Sequence, residues 1–318
     1  MILLVGVLRA WFACGMSDSE QLTLFQVTAF DPPLRDSRDV MEFPFLSIQK
    51  GRRKPIEFTS PDKRVQLHIS APEAFGIATI WDWDLVIYLI ANLNDALENG
   101  HEAHKWVQFA PYDALRYMGR GTGGKDYREL VQAIRRLSTT NIITNIRQDD
   151  THGMEGRLQW ITDYRIPKRY RTNQFLTNLD DGEADAARPW AVEVSSWIFQ
   201  SVIRRKEILA VHPDYFQLTG GLERWLYRLA RKAVPDRSVD AAINFRMETL
   251  YKRSGSTRPL RNFAGDIRKI AERQGLPEYG IYVHSDGRSE LVTLFRDINK
   301  PRRLPRGVRV ISHKSVDG

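Results

Sequence analysis

PYDALRYMGRGTGGKDYRELVQAIRR, residues 111–136, is the stretch that decides the fold. A short amphipathic segment leads into a glycine-rich turn, and a longer helix follows. Tyr127, Leu130, Val131, Ile134 and Leu137 recur at helical spacing and make one apolar face. Lys125, Arg128, Gln132 and Arg135 are expected on the opposite face. Asp126 followed by Glu129 resembles a capping box, with carboxylates where the helix dipole favours negative charge, so the helix is expected to start close to Lys125. The pattern is that of a helix-turn-helix.

A second version lies at residues 247–274, METLYKRSGSTRPLRNFAGDIRKIAERQ. Leu260, Phe263, Ile267 and Ile270 form its apolar stripe, Pro259 suits a first helical turn, and Gly275 is the expected C-terminal cap. Arg258, Arg261, Arg268 and Lys269 are expected to face outward. Ile134, Arg135 and Arg136 of the first copy correspond to Ile267, Arg268 and Lys269 of the second. The helices ahead of each motif also agree, Ile87 to Ala91 with Leu226 to Ala230. Two related domains in tandem are implied.

Residues 81–97, WDWDLVIYLIANLNDAL, read as a core helix with Trp83, Ile87, Ile90, Asn94 and Leu97 on one line. After the first motif, residues 157–166 alternate apolar and polar side chains as a half-buried strand, closing a hairpin. In the second half, Asp286 and Gly287 give a hairpin turn between residues 280–284 and 291–296. Helix, helix-turn-helix and closing hairpin make a winged helix. The expected fold class is therefore α+β, two tandem winged-helix domains with a flexible N-terminal arm and a basic C-terminal tail. The expected boundaries are an arm at 1–64, a first domain at 65–170, a polar linker at 171–188, a second domain at 189–300 and the tail at 301–318.

Composition narrows the class. At 318 residues, 42% hydrophobic and 27% charged, the chain can fill two cores, which excludes wholesale disorder. A net charge of +8 favours polyanionic partners. The single cysteine, Cys14, excludes an intramolecular disulfide framework and points to a reducing cytoplasm. The apolar start MILLVGVLRAWFA has no basic residue ahead of its core and is interrupted by Arg9, so it reads as an extension ahead of a start at Met16 rather than a signal peptide. No membrane association is expected.

Catalytic patterns fail on inspection. Gly119, Gly124 and Lys125 match the beginning of a phosphate-binding loop, but a helical segment precedes them and Asp126 stands where magnesium needs a hydroxyl. His101 and His104 lack the spacing that puts two zinc ligands on one helix face. No pair of histidines alternates on a strand beside a nucleophilic tyrosine. The chain is expected to be no enzyme, with no metal and no cofactor. The basic faces carry the remaining signal, which is DNA binding. Candidate contacts in the first motif are Arg120, Lys125, Arg128, Gln132, Arg135 and Arg136, with Arg147 and Arg157 in its wing. In the second they are Arg258, Arg261, Asn262, Arg268 and Lys269, with Arg288 in its wing. Arg52, Arg53 and Lys54 are candidate arm contacts. Arg135→Ala or Arg268→Ala is expected to weaken specific binding and leave the fold intact.

MEFPFLSI with GRRKPIEF, ATIWDWDLVIYL, FAPYDALRYMGRGTGGKDYRELVQAIRRLSTTNI, LTGGLERWLYRLARK and FAGDIRKI, in that order, resemble the plasmid replication initiator protein A family over residues 38–298. The resemblance implies binding to double-stranded DNA at repeated origin sites, or iterons. It also implies origin opening with the host initiator, and recruitment of the replicative helicase or its loader. By analogy of fold, related initiators act as monomers and repress their own promoter as homodimers. A transcriptional repressor without a replication role is the alternative on the same DNA-binding surface.

Overall fold

The structure, a computed structural model, describes residues 24–26, 31–146, 156–167, 189–204, 207–234, 241–287 and 289–297. The first elements are β1 (Leu24–Gln26), β2 (Arg35–Ser37), α1 (Arg38–Glu42), β3 (Ile56–Thr59) and β4 (Gln66–Ser70). Residues 31–59 were expected in a flexible arm, and the structure corrects this. Val40, Met41, Phe45 and Ile56 are at most 1% exposed. Scattered apolar residues without a clear period looked like an arm because each one plugs into a core built by other segments.

Helix α2 (Trp83–Glu98) is buried on nearly every side, from Trp83 through Asn94 to Ala96. A helix that is apolar all round belongs inside. It is followed by β5 (Trp106–Phe109), α3 (Pro111–Tyr117), α4 (Gly124–Thr139), β6 (Asn141–Thr144), β7 (Gly156–Leu158), β8 (Ile161–Arg165) and β9 (Trp190–Val194). One four-stranded sheet has the order β1-β5-β9-β8, with β1 parallel to β5 and the other pairs antiparallel. Another runs β3-β4-β6-β7, antiparallel throughout. The strand expected over 157–166 is thus two strands in two sheets. The break falls at Trp160, which is fully buried with its ring 4.7 Å from Trp83 and 5.6 Å from Phe45. An indole driven into the core ends the alternation.

The polar segment 171–188 was expected to join two domains, and it lies outside the described residues. Its flanks do not fit a linker: β8 and β9 pair antiparallel, with Tyr164 opposite Val192. Both flanks therefore belong to the first unit. Residues 190–203, expected to open the second domain, pair and pack with the first unit through β9 and α5 (Ser196–Ile203), which lies against α2.

The chain continues through β10 (Ile208–Ala210), a 3-10 turn at Pro213–Gln217, α6 (Gly221–Ala233), β11 (Ala242–Arg246), α7 (Met247–Ser254), α8 (Leu260–Arg273), β12 (Tyr279–Ser285) and β13 (Glu290–Arg296). Strand β10 crosses back to pair with β2, Leu209 opposite Asp36. The last sheet has the order β11-β13-β12. The two units therefore repeat one plan. In the first, α2, β5, α3, α4, β8 and β9 follow in order, and β9 lies between β5 and β8. In the second, α6, β11, α7, α8, β12 and β13 do the same, and β13 lies between β11 and β12. A single contiguous apolar cluster runs through both, from Leu34 to Leu294.

Candidate nucleic-acid interface

Helix α4 begins after Gly123, whose N–H donates to the Asp126 carboxylate at 3.0 Å. The expected start near Lys125 agrees to one residue. Leu130, Val131, Ile134 and Leu137 are buried as the apolar stripe requires. Gly119 supplies the left-handed turn between α3 and α4 at φ 65°, and Gly255 does the same between α7 and α8 at φ 62°. Helix α8 is capped differently from expectation. Gln274, not Gly275, takes the left-handed position at φ 50°. Its side chain supports the bend by accepting from Ile281 N–H at 3.2 Å and donating to the Ile281 carbonyl.

The candidate contacts fall into two groups. Lys125, Arg128, Arg157, Arg261, Asn262, Lys269 and Lys54 are exposed, and Gln132 is half-buried on the outer face of α4. Lys125 also lies 3.8 Å from Glu129, one turn along. The second group is engaged by other groups of the protein, although Arg53 and Arg258 remain exposed. Arg135 is 6% exposed, so its expected outward placement is corrected. Arg136 donates from Nε and Nη2 to the two oxygens of Asp82 at 2.8 and 2.6 Å. Arg120 donates to Asp84 at 2.9 Å and to the Trp81 carbonyl. Arg268 forms a two-pronged pair with Glu290 at 2.7 and 2.8 Å, and Arg258 donates to Asp266. Arg52 donates to the carbonyls of Lys54, Pro55 and Gly255, and Arg53 to that of Glu73. Arg147 and Arg288 lie outside the described residues.

The carboxylates that hold these arginines went unremarked in the sequence. Asp82 and Asp84 sit at the start of α2, 3% and 1% exposed. Asp84 also accepts from Arg224 of α6 at 2.6 Å, and Arg224 spends its remaining N–H groups on the carbonyls of Leu218 and Phe216. One turn further along α6, Arg228 donates to Asp36 at 2.6 Å, and Asp36 also receives Trp83 Nε1 at 2.7 Å. Burial pushes the Asp84 carboxyl above its ordinary range, and the Arg224 and Arg120 guanidiniums pull against that shift. A signal was present: Arg224 and Arg228 stand beside Trp225 and Leu229 within the apolar stretch of α6, and WDWD puts two acids at the mouth of an otherwise apolar helix.

Two clefts border this junction. One, of about 470 Å³, is lined by Lys50, Trp81, Arg120 and the α4 residues Asp126, Glu129, Gln132 and Arg136. The other, of about 300 Å³, is lined by Thr219, Gly220, Glu223 and the α8 residues Asp266, Lys269 and Arg273. Trp81 Nε1, in the first cleft, donates at 3.2 Å to the carbonyl of Thr219, which lines the second. Helices α4 and α8 therefore flank the start of α6.

A model of the replication initiator protein A family matches residues 35–281. The chain belongs to the replication initiator protein A family. The match begins at β2, which takes in residues 35–64 of the segment expected as an arm. Among relatives, a protein of Wigglesworthia glossinidia brevipalpis that is named for replication is 28% identical over 246 residues, 76% of this chain and 82% of that one. The fold is similar to that of domains 2 and 3 of RctB, with a TM-score of 0.56 at 12% identity, covering 82% of this chain and 99% of the other. A second structure of RctB domains 2 and 3 gives a TM-score of 0.52 at 11% identity, over 82% and 97% of the two chains. These likenesses are of fold. Among the described residues no helix is long and apolar enough to cross a membrane.

Proposed function

We propose that the two repeated units are tandem winged helices that bind double-stranded DNA at repeated plasmid-origin sites. In this reading α4 and α8 are the recognition helices, the β6–β7 pair that carries Arg157 is the wing of the first unit, and the β12–β13 hairpin is the wing of the second. The observation that carries it is the repetition itself: each unit has a helix, a strand, two helices and a closing strand pair in one sheet order, with exposed cations on its fourth element. Membership in a replication initiator family supports the same conclusion.

Lys125, Arg128 and Gln132 on α4, and Arg261, Asn262 and Lys269 on α8, are the side chains proposed to face DNA. Arginine suits the paired acceptors of guanine, and glutamine or asparagine those of adenine. Arg157 and Lys54, together with Arg147 and Arg288, are proposed phosphate contacts, which position without reading sequence. Arg120, Arg135, Arg136, Arg258 and Arg268 orient the recognition helices instead, through the protein groups that engage them. Bound copies would open the neighbouring duplex and recruit the host initiator and the helicase or its loader. Autorepression by a homodimer and a cytoplasmic location complete the proposal.

The test is binding to the repeats beside its own gene, against scrambled DNA of equal length, across a salt series. A preference for the repeats that persists above the log-linear loss from counterion release is expected. Equal binding to both DNAs would withdraw the proposal. A plasmid carrying the repeats should also replicate only when the protein is supplied; repeat binding without replication would leave the repressor alternative.

A further inference from the structure

We infer that a chain of ion pairs between α4 and α8 locks the two units at one separation, making Asp84 and Arg224 the positioning residues that set the spacing of DNA this protein accepts. The inference rests on the proposed DNA-binding reading. The chain starts on α4, where Arg136 holds Asp82 by two hydrogen bonds of 2.8 and 2.6 Å. Two residues on, Asp84 takes Arg224 of α6 at 2.6 Å. The neighbouring Glu223 then takes Arg273 of α8 at 2.8 Å, while its other oxygen caps the start of α6 by accepting Gly220 N–H at 3.1 Å. Each recognition helix is thus tied to the start of α6.

The central link is the strong one. Asp84 and Arg224 are 1% and 4% exposed, so separating them would leave both charges without solvent. The parallel tie from Asp36 to Arg228 is buried as deeply, at 0% and 1%. Nor is there slack beside the ion pairs. A Cβ on Gly221 would lie 2.2 Å from the Ile48 carbonyl oxygen and 2.8 Å from the Trp81 ring, so α6 sits directly on the first unit. Two flexibly tethered readers could follow DNA sites at several separations. A locked pair cannot, because each inserted base pair rotates the second site by about 34° in a duplex of roughly 10.5 base pairs per turn.

The experiment measures binding of the full chain to a duplex carrying one repeat, and to the same repeat with one or two base pairs inserted at each position in turn. The wild-type protein is expected to lose on the order of 30-fold or more for insertions between the two contacted segments, a loss comparable to a wrong base pair or worse. Arg224→Gln and Asp84→Asn are expected to bind the uninserted repeat more weakly and to tolerate the insertions with a penalty of only about 3-fold, as a hinged reader would. Arg224→Lys, which keeps the charge, should restore part of the discrimination. A purely structural role would lower affinity for all duplexes in parallel and leave the insertion penalty unchanged; that outcome overturns the inference. Should the buried variants unfold, the wild-type insertion series decides on its own. Wild-type protein that binds inserted and uninserted repeats equally well refutes the lock while leaving DNA binding intact. Failure to bind the repeat at all refutes the underlying reading instead.

Discussion

At the scale of single residues, the sequence separated the apolar stripes from the rest but could not sort the arginines. A helical wheel shows that Arg135 and Arg136 lie off the stripe of α4; it does not show Asp82 arriving from α2. The expectation that Arg135→Ala leaves the fold intact is therefore replaced. Arg128→Ala should weaken DNA binding by about 1–3 kcal/mol with an unchanged denaturation midpoint, since Arg128 is exposed. Arg136→Ala should lower stability by roughly 3 kcal/mol, because it strands a 3%-exposed Asp82 carboxylate. Paired urea melts and binding titrations would separate the two, and equal loss of stability would refute the sorting. Two glycines make a second contrast. Gly221→Ala must push α6 off the Ile48 carbonyl and should cost about 1–3 kcal/mol. Gly265→Ala, inside α8 with nothing within 4 Å of its new methyl, should gain about 0.5–1 kcal/mol. The same denaturation series checks the signs.

Among elements, helices were more legible than strands. Both helix pairs appear where the apolar period placed them, because a helix satisfies its own backbone and its pattern is local. Strand partners are not local. The alternation over 157–166 was real, yet it concealed a change of sheet at Trp160 that depends on Phe45 and Trp83 lying beneath it. Trp160→Ala should cost about 3–5 kcal/mol, more than any substitution at the neighbouring, exposed Thr162 or Asp163. Near-ultraviolet circular dichroism and urea midpoints would measure this, and a small effect would mean that the break in the strand has some other cause. The β12–β13 hairpin was legible for the opposite reason: its turn residues Asp286 and Gly287 are adjacent in sequence and encode the reversal themselves.

For the whole molecule, the tandem order was legible and the division was not. Composition offered residues 171–188 as the boundary, whereas pairing assigns their flanks to one unit and sends β2 across to β10. The two units also share charges as well as core. A fragment of residues 207–297 would carry Arg224 and Arg228 without Asp84 and Asp36, leaving two guanidiniums that in the full chain are 4% and 1% exposed. In the fragment both would be solvated and would no longer tie α6 in place, and a whole domain is stable by only about 5–15 kcal/mol. The fragment would also lose the apolar surface that α6 buries against the first unit, where Trp225, Leu226 and Leu229 are at most 3% exposed. It is therefore expected to lack fixed tertiary structure, although its helix periodicity is intact. The full chain is expected to unfold in a single transition. Coincident urea curves followed by tryptophan fluorescence and far-ultraviolet circular dichroism would bear this out. A fragment that melted cooperatively on its own would show instead that the second unit is an independent domain, and that the buried ion pairs were added to a fold already able to stand alone.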